Sequence, residues 1–348
     1  MEKVKKSFLR FAQMEAKGKS ALYENWCLQL IEDEPLLNLV ANIPMHQPKP
    51  NLFFASVQYL SKKINAPLCR FFQQTPHVDF EESFVQLKRF CQTYEQQLIE
   101  LFHTKLVQTN EVNRASYLYP IFSLVYEKVN KPLTLIEIGT SAGLLLNVDQ
   151  YCYEVKQQAQ TTTYGAVDSP LTIQALNTGI QLPELIRPVV KNRIGIDLNC
   201  LDLQNEQDLN WLQALIWPEQ RGRLAILQLA ANVQKHSKLQ LFSGNFGELL
   251  PGILNEPTVN GTQIIIFHTH VANQLSQSLK DELTHILHQA SIEQPIYHIY
   301  NNMVDTDIHV DYVWKGEVTC IKRLSKYDSH GTMFEWNEDS YEVEVLNK

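Results

Sequence analysis

The sequence contains no uninterrupted apolar run near the ~18 residues that a membrane-spanning helix requires, so no membrane partner is expected. Its opening stretch, MEKVKKSFLRFAQMEAKGKS, has basic side chains but no continuous apolar core. It reads as an amphipathic helix rather than a secretory leader. None of the six cysteines, Cys27, Cys69, Cys91, Cys152, Cys200 and Cys320, stands in a C-x-x-C pair. The thiolate spacing common in zinc proteins is therefore missing, and the pattern points to reduced thiols in a cytoplasmic protein. Positive charge is also scarce, with 30 Lys+Arg against 38 Asp+Glu and a formal charge of −8. A nucleic-acid backbone rewards a basic surface, so a nucleic acid is not favoured as partner. There is no internal repeat and no low-complexity tract.

What is present is a chain of 348 residues, 44% hydrophobic and 20% charged, which is the globular range. At ~150 residues per domain the length suggests two domains and ample core. Charge is uneven. Residues 1–115 hold 14 Lys+Arg and 12 Asp+Glu, and the remainder is acidic, most of all around Glu335, Glu338, Asp339, Glu342 and Glu344. That acidic end reads as a solvated face.

Apolar residues three and four apart in FLRFAQM, ALYENWCLQLI, FASVQYLSKKI and FVQLKRFCQTYEQQLIELFHTKL predict helices over residues 1–128. At residue 131 the pattern changes, punctuated by Lys131-Pro132. LTLIEIG predicts a strand, GTSAG a tight turn and LLLNV a helix start. Strands are expected at 189–196, 239–242, 263–267 and 295–300, alternating with helices at 208–216, 219–235 and 273–290. This alternation implies crossovers and a mostly parallel sheet. Residues 311–322 and 331–336 are expected to form a C-terminal antiparallel hairpin turned at 326–331. The fold class is thus α/β, a helical region over 1–128 followed by a Rossmann-like domain over 129–348 with an insertion at about 151–188.

The sharpest local signal is the turn Gly139-Thr140-Ser141-Ala142-Gly143. Glycines let backbone approach a ligand closely, and a helix start offers N–H donors. A P-loop would need G-K-[ST], and a dinucleotide fingerprint would need glycine where Ser141 stands. The turn also matches G-x-S-x-G, the nucleophile elbow of serine hydrolases, with Ser141 as nucleophile and His330 or His298 as base. Against that reading, several strands precede the elbow in hydrolases, whereas here the preceding residues are helical and no HGGG-like loop occurs.

At these residues the chain resembles the S-adenosylmethionine-dependent methyltransferases of the Rossmann-like class I. More closely, it resembles a bacterial family known as domain of unknown function 2332. The segments that carry this resemblance are QTNEVNRASYLYP, LIEIGTSAGLLLNVDQYCYEV, RIGIDLNCLDL, WLQALIWPEQRGRL and DSHGTMFEW, spanning residues 108–336 in order.

The resemblance implies a methyltransferase-like fold with S-adenosylmethionine as cofactor and a small-molecule substrate. By motif, Glu137, Gly139, Thr140, Ser141 and Gly143 would wrap the methionine and ribose, and Asp197 would take the ribose hydroxyls. Asp197 lies 58 residues after Gly139, where about 20 is usual, so an insertion must intervene, and Asp168 is the alternative. Asn245 stands where methyltransferases often place an adenine-contacting Asp. Arg114, one helical turn from Asn110, would hold the methionine carboxylate. His268, His270 and His330 are the candidate general bases. His268 and His270, two apart after an apolar strand, would face one crevice if the chain stayed extended. No metal is assigned. An Asn/Asp-Pro-Pro motif is missing, which disfavours amide methylation. Arg221 and Arg223 would close over an anionic substrate. The helical region would act as a lid or substrate platform. A noncatalytic adenosyl-binding module is the remaining alternative to the methyltransferase and hydrolase readings.

Overall fold

The computed structural model describes residues 1–75, 77–108 and 110–338. The acidic positions Asp339, Glu342 and Glu344 lie outside them. By its internal contacts the chain divides into two units, one of residues 1–109 with 204–225, the other of residues 110–203 with 226–348. The helix Ala115–Val129 thus groups with the sheet, and the segment 204–225 with the N-terminal helices.

The first unit is helical. Its main helices are Glu2–Arg10, Ala21–Leu30, Glu34–Ala41, Lys49–Lys63, Phe80–Thr93, Glu95–Thr104 and Glu206–Ala214. Their starts follow local chemistry. Ser20, Asp33 and Asp79 each cap a helix by accepting a backbone N–H three residues on. The core is aromatic, with Tyr23 stacked on Phe54 at 4.2 Å. Buried Gln58 donates to the carbonyls of Ala214 and Ile216, both at 3.1 Å, which holds the 204–225 segment in place. Arg221 donates to the carbonyls of Gln73 and Thr75, a structural use of a residue expected at a substrate.

The second unit contains two sheets. Its strands are β1 Leu133–Ile138, β2 Cys152–Gln157, β3 Gln160–Gly165, β4 Thr172–Asn177, β5 Val190–Asp197, β6 Gln240–Ser243, β7 Gln263–His268, β8 Ile296–Tyr300, β9 Ile308–Trp314, β10 Glu317–Leu324 and β11 Met333–Phe334. The larger sheet has the order β10-β9-β8-β7-β1-β5-β6. β1 pairs in parallel with both β5 and β7, and β6 and β8 extend the parallel run. β9 and β10 complete it in antiparallel pairing, with β10 at the edge. The chain therefore runs outward from β1 in one direction and then returns to build the other. The strand order reverses at β1, and in open α/β sheets ligands bind at the carboxyl ends beside such a reversal.

Alternate residues of the parallel strands face two helical layers. Ile136, Ile138, Ile194, Ile196, Ile264, Ile266 and Ile296 pack with the helices Phe246–Leu254 and Gln277–Ala290. On the opposite face, Phe122 of helix Ala115–Val129 meets Phe267 edge-on at 5.2 Å. Burial on both faces explains why these strands read as continuous apolar runs.

One expectation needs correction and two gain detail. The expected insertion is a sheet of its own, with order β11-β4-β2-β3. The antiparallel hairpin is β9–β10, turned at Lys315-Gly316, where both residues take positive φ (52° and 79°). A two-residue turn of that kind matches strand twist, so 311–322 contains a turn rather than one strand. Residues 333–334 instead pair in parallel with β4, in the smaller sheet. Finally, the helix that LLLNV opens is a short 3-10 helix, Leu144–Gln150, kinked at Asn147.

Candidate functional site

β1 ends in the turn 139–143. Gly139 and Gly143 have φ of 73° and 74°, and Ser141, which is not glycine, has φ of 51°. A left-handed non-glycine residue is uncommon and strained, and such residues gather at functional sites. The turn is tied to the adjacent strand. The Ser141 N–H donates to Asp197 Oδ2 at 2.8 Å, and Asp197 Oδ1 accepts from Asn199 N–H at 2.9 Å. Asp197 is the last residue of β5, so the two strand ends and their loops share one partly exposed carboxylate.

The turn's other donors are used internally. Ala142 N–H reaches Asn110 Oδ1 at 3.4 Å, and Gly143 N–H reaches Thr140 O at 2.8 Å. The glycine faces are also filled. A Cβ on Gly139 would sit 2.4 Å from Val271 Cγ2, and one on Gly143 would sit 2.9 Å from Leu239 Cδ2. The glycines therefore serve the shape and packing of the turn, and the N–H groups of residues 141–143 are taken by the protein itself.

Glu137 lies on the Phe267 face of β1 and is buried. Its Oε2 accepts the Thr140 hydroxyl at 2.7 Å. Burial pushes its carboxyl up to about 8, the Thr140 bond opposing and the nearby Asp197 charge adding to the rise. Ser141 Oγ accepts from Asn110 Nδ2 at 2.5 Å and is itself buried, so an amide meets the hydroxyl where a hydrolase elbow would present an imidazole.

Arg114 sits in the turn that opens helix Ala115–Val129. It is only 8% exposed, yet its bonds all go to neutral acceptors: Ser329 O at 2.9 Å, and Thr269 O and Oγ1 at 3.4 Å. Among the described residues it has no carboxylate partner. A buried guanidinium without a counter-ion is costly unless an anion completes it. The carbonyl of Ser329 that holds it comes from the turn 328–331, which Asp328 organises by accepting the N–H groups of His330 and Thr332. That turn lies directly on the 113–114 backbone. A Cβ on Gly331 would fall 2.2 Å from Asn113 O. Ser116 Oγ also donates to Gly331 O at 2.6 Å.

The same docking brings His330 Nδ1 to 3.0 Å from Glu111 Oε2. Glu111 is buried and the His330 side chain is half-exposed. A carboxylate accepts only, so in the neutral ring Nδ1 is the nitrogen that carries the proton and Nε2 the one with the lone pair. His270 is close by. Its N–H donates to Asn301 Oδ1 at 2.7 Å, and Asn301 Nδ2 donates to Tyr327 Oη at 2.6 Å and meets His270 Nε2 at 3.3 Å. Burial first, then the neighbouring Arg114 and His330, pull the His270 imidazole down to about 4.

The structure separates the two histidines of His268-Thr269-His270. β7 ends at His268, and His270 has φ of 57°, so the chain is no longer extended and the same-side rule fails. His268 instead points into the helix layer, fully buried, with its Nε2 3.1 Å from His298 Nε2. Burial holds it down at about 3, hence neutral. Of the three expected bases, His330 and His270 reach the carboxyl edge near Arg114, and His268 is a core group. Asn245 caps the helix Phe246–Leu254 by accepting Gly247 N–H at 3.0 Å. Asp168 is exposed on the turn between β3 and β4, in the smaller sheet. Asn110, Glu111, Asn301 and Tyr327 were not assigned roles from sequence. Glu111 and Asn110 stand beside Arg114 in QTNEVNR, which was their only signal.

These features define an α/β protein with a Rossmann-like, mostly parallel sheet and a polar cluster at its carboxyl edge. The chain belongs to the family described as "Uncharacterized protein conserved in bacteria (DUF2332)", whose model matches residues 5–336. No curated protein and no solved structure matches it. No helix among the described residues is long and apolar enough to cross a membrane.

Proposed function

We propose that this protein is an S-adenosylmethionine-dependent methyltransferase acting on a small molecule. The observation that carries the reading is the Asp197–Ser141 bond, which joins an acid–glycine turn after β1 to an acidic residue ending the neighbouring strand, at the reversal of strand order.

The available groups suit such a ligand in a particular way. Asp197 accepts hydroxyls of a ribose diol, and Arg114 supplies the charge-assisted donor for an amino-acid carboxylate. The glycine faces are packed by Val271 and Leu239, so the fit rests on these two charged residues and not on close backbone approach. The cofactor, when bound, supplies an electrophilic methyl group. The chain's own contribution is proton handling and orientation. Glu111 fixes the tautomer of His330, whose Nε2 accepts a proton from the substrate nucleophile. His270, kept neutral, orients through Asn301 and Tyr327. This dyad favours an enzyme over a passive binding module.

Calorimetric titration with S-adenosylmethionine and S-adenosylhomocysteine tests the reading, paired with a release assay for S-adenosylhomocysteine in cell extract. Binding lost in Asp197→Ala, and turnover lowered about 100-fold or more in His330→Gln with binding retained, are the expected results. No binding of either ligand by the folded protein overturns it.

A further inference from the structure

On the face of the larger sheet opposite Glu137, strand register gathers a second set of reactive side chains. Tyr300 of β8 pairs with His309 of β9, and His298 pairs with Asp311. Asp311 in turn pairs with Cys320 of β10. Residues two apart on one strand and directly opposite on the next project to the same side. His309, Asp311 and Cys320 therefore share one face, and their ligand atoms all lie within 4.8 Å of one another. A β-bulge follows Cys320 and breaks the regular pairing at this point. Bulges of this kind re-aim side chains next to sites.

The histidine and carboxylate donors are arranged for a cation. His309 Nε2 lies 2.9 Å from Asp305 Oδ1, and since a carboxylate only accepts, Nε2 holds the proton and Nδ1 keeps the lone pair. A carboxylate behind the imidazole is the usual outer support of a metal-bound histidine. Asp305 is itself held by Arg323 Nη2 at 2.7 Å, so the arginine's charge is spent on the support and not on the cluster. Asp311 is 6% exposed. Its Oδ2 accepts the Tyr300 hydroxyl at 2.8 Å, while its Oδ1 is buried and has no hydrogen-bond partner. A buried carboxylate oxygen without a partner is rare and needs a counterpart. Cys320 makes a long sulfur contact, 3.5 Å to the Lys322 carbonyl, and its thiol also faces the Asp311 carboxylate.

We propose that His309, Asp311 and Cys320 bind one divalent transition-metal ion of the zinc class, with Asp305 as outer support. The mixed nitrogen, oxygen and sulfur set disfavours magnesium and calcium, which take oxygen ligands, and suits zinc, whose ligands are these three types. Carboxylate and thiolate together balance the 2+ charge. On binding, the Cys320 S–H bond breaks, a metal–sulfur bond forms and the proton passes to solvent, with no change of oxidation state. Three protein ligands leave a fourth position for water. The ion cross-links β9 to β10 at the antiparallel edge of the sheet. The site stands independently of the methyl-transfer reading, since it uses none of the same residues.

The test uses the intact chain, stripped with a chelator and titrated with zinc(II), cobalt(II) and, as a negative comparison, magnesium(II). One equivalent of zinc or cobalt is expected, with a thiolate-to-cobalt charge-transfer band in the near ultraviolet. Cys320→Ser abolishes that band and Asp311→Asn weakens binding, while Cys69→Ser leaves both unchanged. A second readout needs no variant. Iodoacetamide labelling of Cys320, followed by peptide mapping, slows about 100-fold at zinc concentrations 100 times the dissociation constant, because only the metal-free fraction reacts. No stoichiometric zinc or cobalt binding, a cobalt band that survives Cys320→Ser, or labelling of Cys320 indifferent to zinc overturns the proposal.

Discussion

Asp197 Oδ2 accepts the backbone N–H of Ser141 at 2.8 Å, across the carboxyl ends of two adjacent parallel strands. Ser141 is held in a left-handed conformation there, and the charge-assisted bond helps to keep it. Asp197→Asn retains an acceptor for that N–H but removes the charge. We expect its thermal stability to stay within about 1 kcal/mol of the parent, while affinity for an adenosyl ligand falls at least about tenfold. Asp197→Ala removes the acceptor as well and costs about 1–3 kcal/mol of stability. Denaturant melts and calorimetry on both variants separate the two effects.

Glu137 makes stability depend on pH in an unusual direction. Its folded-state carboxyl, raised by burial to about 8, lies above the ordinary value of 4.5. Between these values the unfolded chain has lost the proton and the folded chain still holds it. The unfolded state binds fewer protons, so this group's contribution falls as pH rises from about 4.5 to about 8. Glu137→Gln keeps an acceptor for Thr140 and removes the titration. The variant is expected to gain on the parent by on the order of a few kcal/mol between pH 5 and pH 8, read from denaturation at both pH values.

Arg114 offers a planar fork, and lysine offers a point charge. Arg114→Lys is expected to leave the fold intact and to weaken a carboxylate-bearing ligand by about 10- to 100-fold. A comparison ligand without the amino-acid group, 5′-methylthioadenosine, should bind parent and variant alike. Equal weakening of both ligands would remove Arg114 from carboxylate recognition.

Gly331→Ala tests how the 328–331 turn seats on the 113–114 backbone. The position has φ of 74°, and an added Cβ would lie 2.2 Å from Asn113 O. A left-handed residue that is not glycine costs about 1–3 kcal/mol before any collision is counted. The expected result is lowered stability together with loss of activity, because Ser329 and His330 move with the turn. A variant with parent-like melting would mean that the turn can shift without consequence.

The parallel core was legible because strands buried on both faces leave short, dense apolar runs. β1, β5, β7 and β8 therefore lay within a residue or so of expectation. The hairpin was misplaced because Lys315-Gly316 is a quiet turn signal beside Asp328-Ser329-His330-Gly331, whose glycine is needed for docking rather than for a hairpin. The small sheet escaped notice because β3 is largely exposed and shows little apolar alternation. At the candidate site, Arg114, Asp197 and His330 were read from motif position. The Glu111–His330 pairing spans 219 residues and depends on tertiary docking that no local spacing encodes. His268 misled because the two-residue periodicity stops one residue too soon.

The seat of Gly331 on Asn113 has a consequence for synthesis. A nascent chain that has emerged only as far as β10 already owns both acids of β1 and β5, yet its buried guanidinium has no Ser329 carbonyl and its Glu111 no imidazole. Competence must therefore arrive late, as a final clasp between the two flanks of the domain rather than as a property accumulated strand by strand.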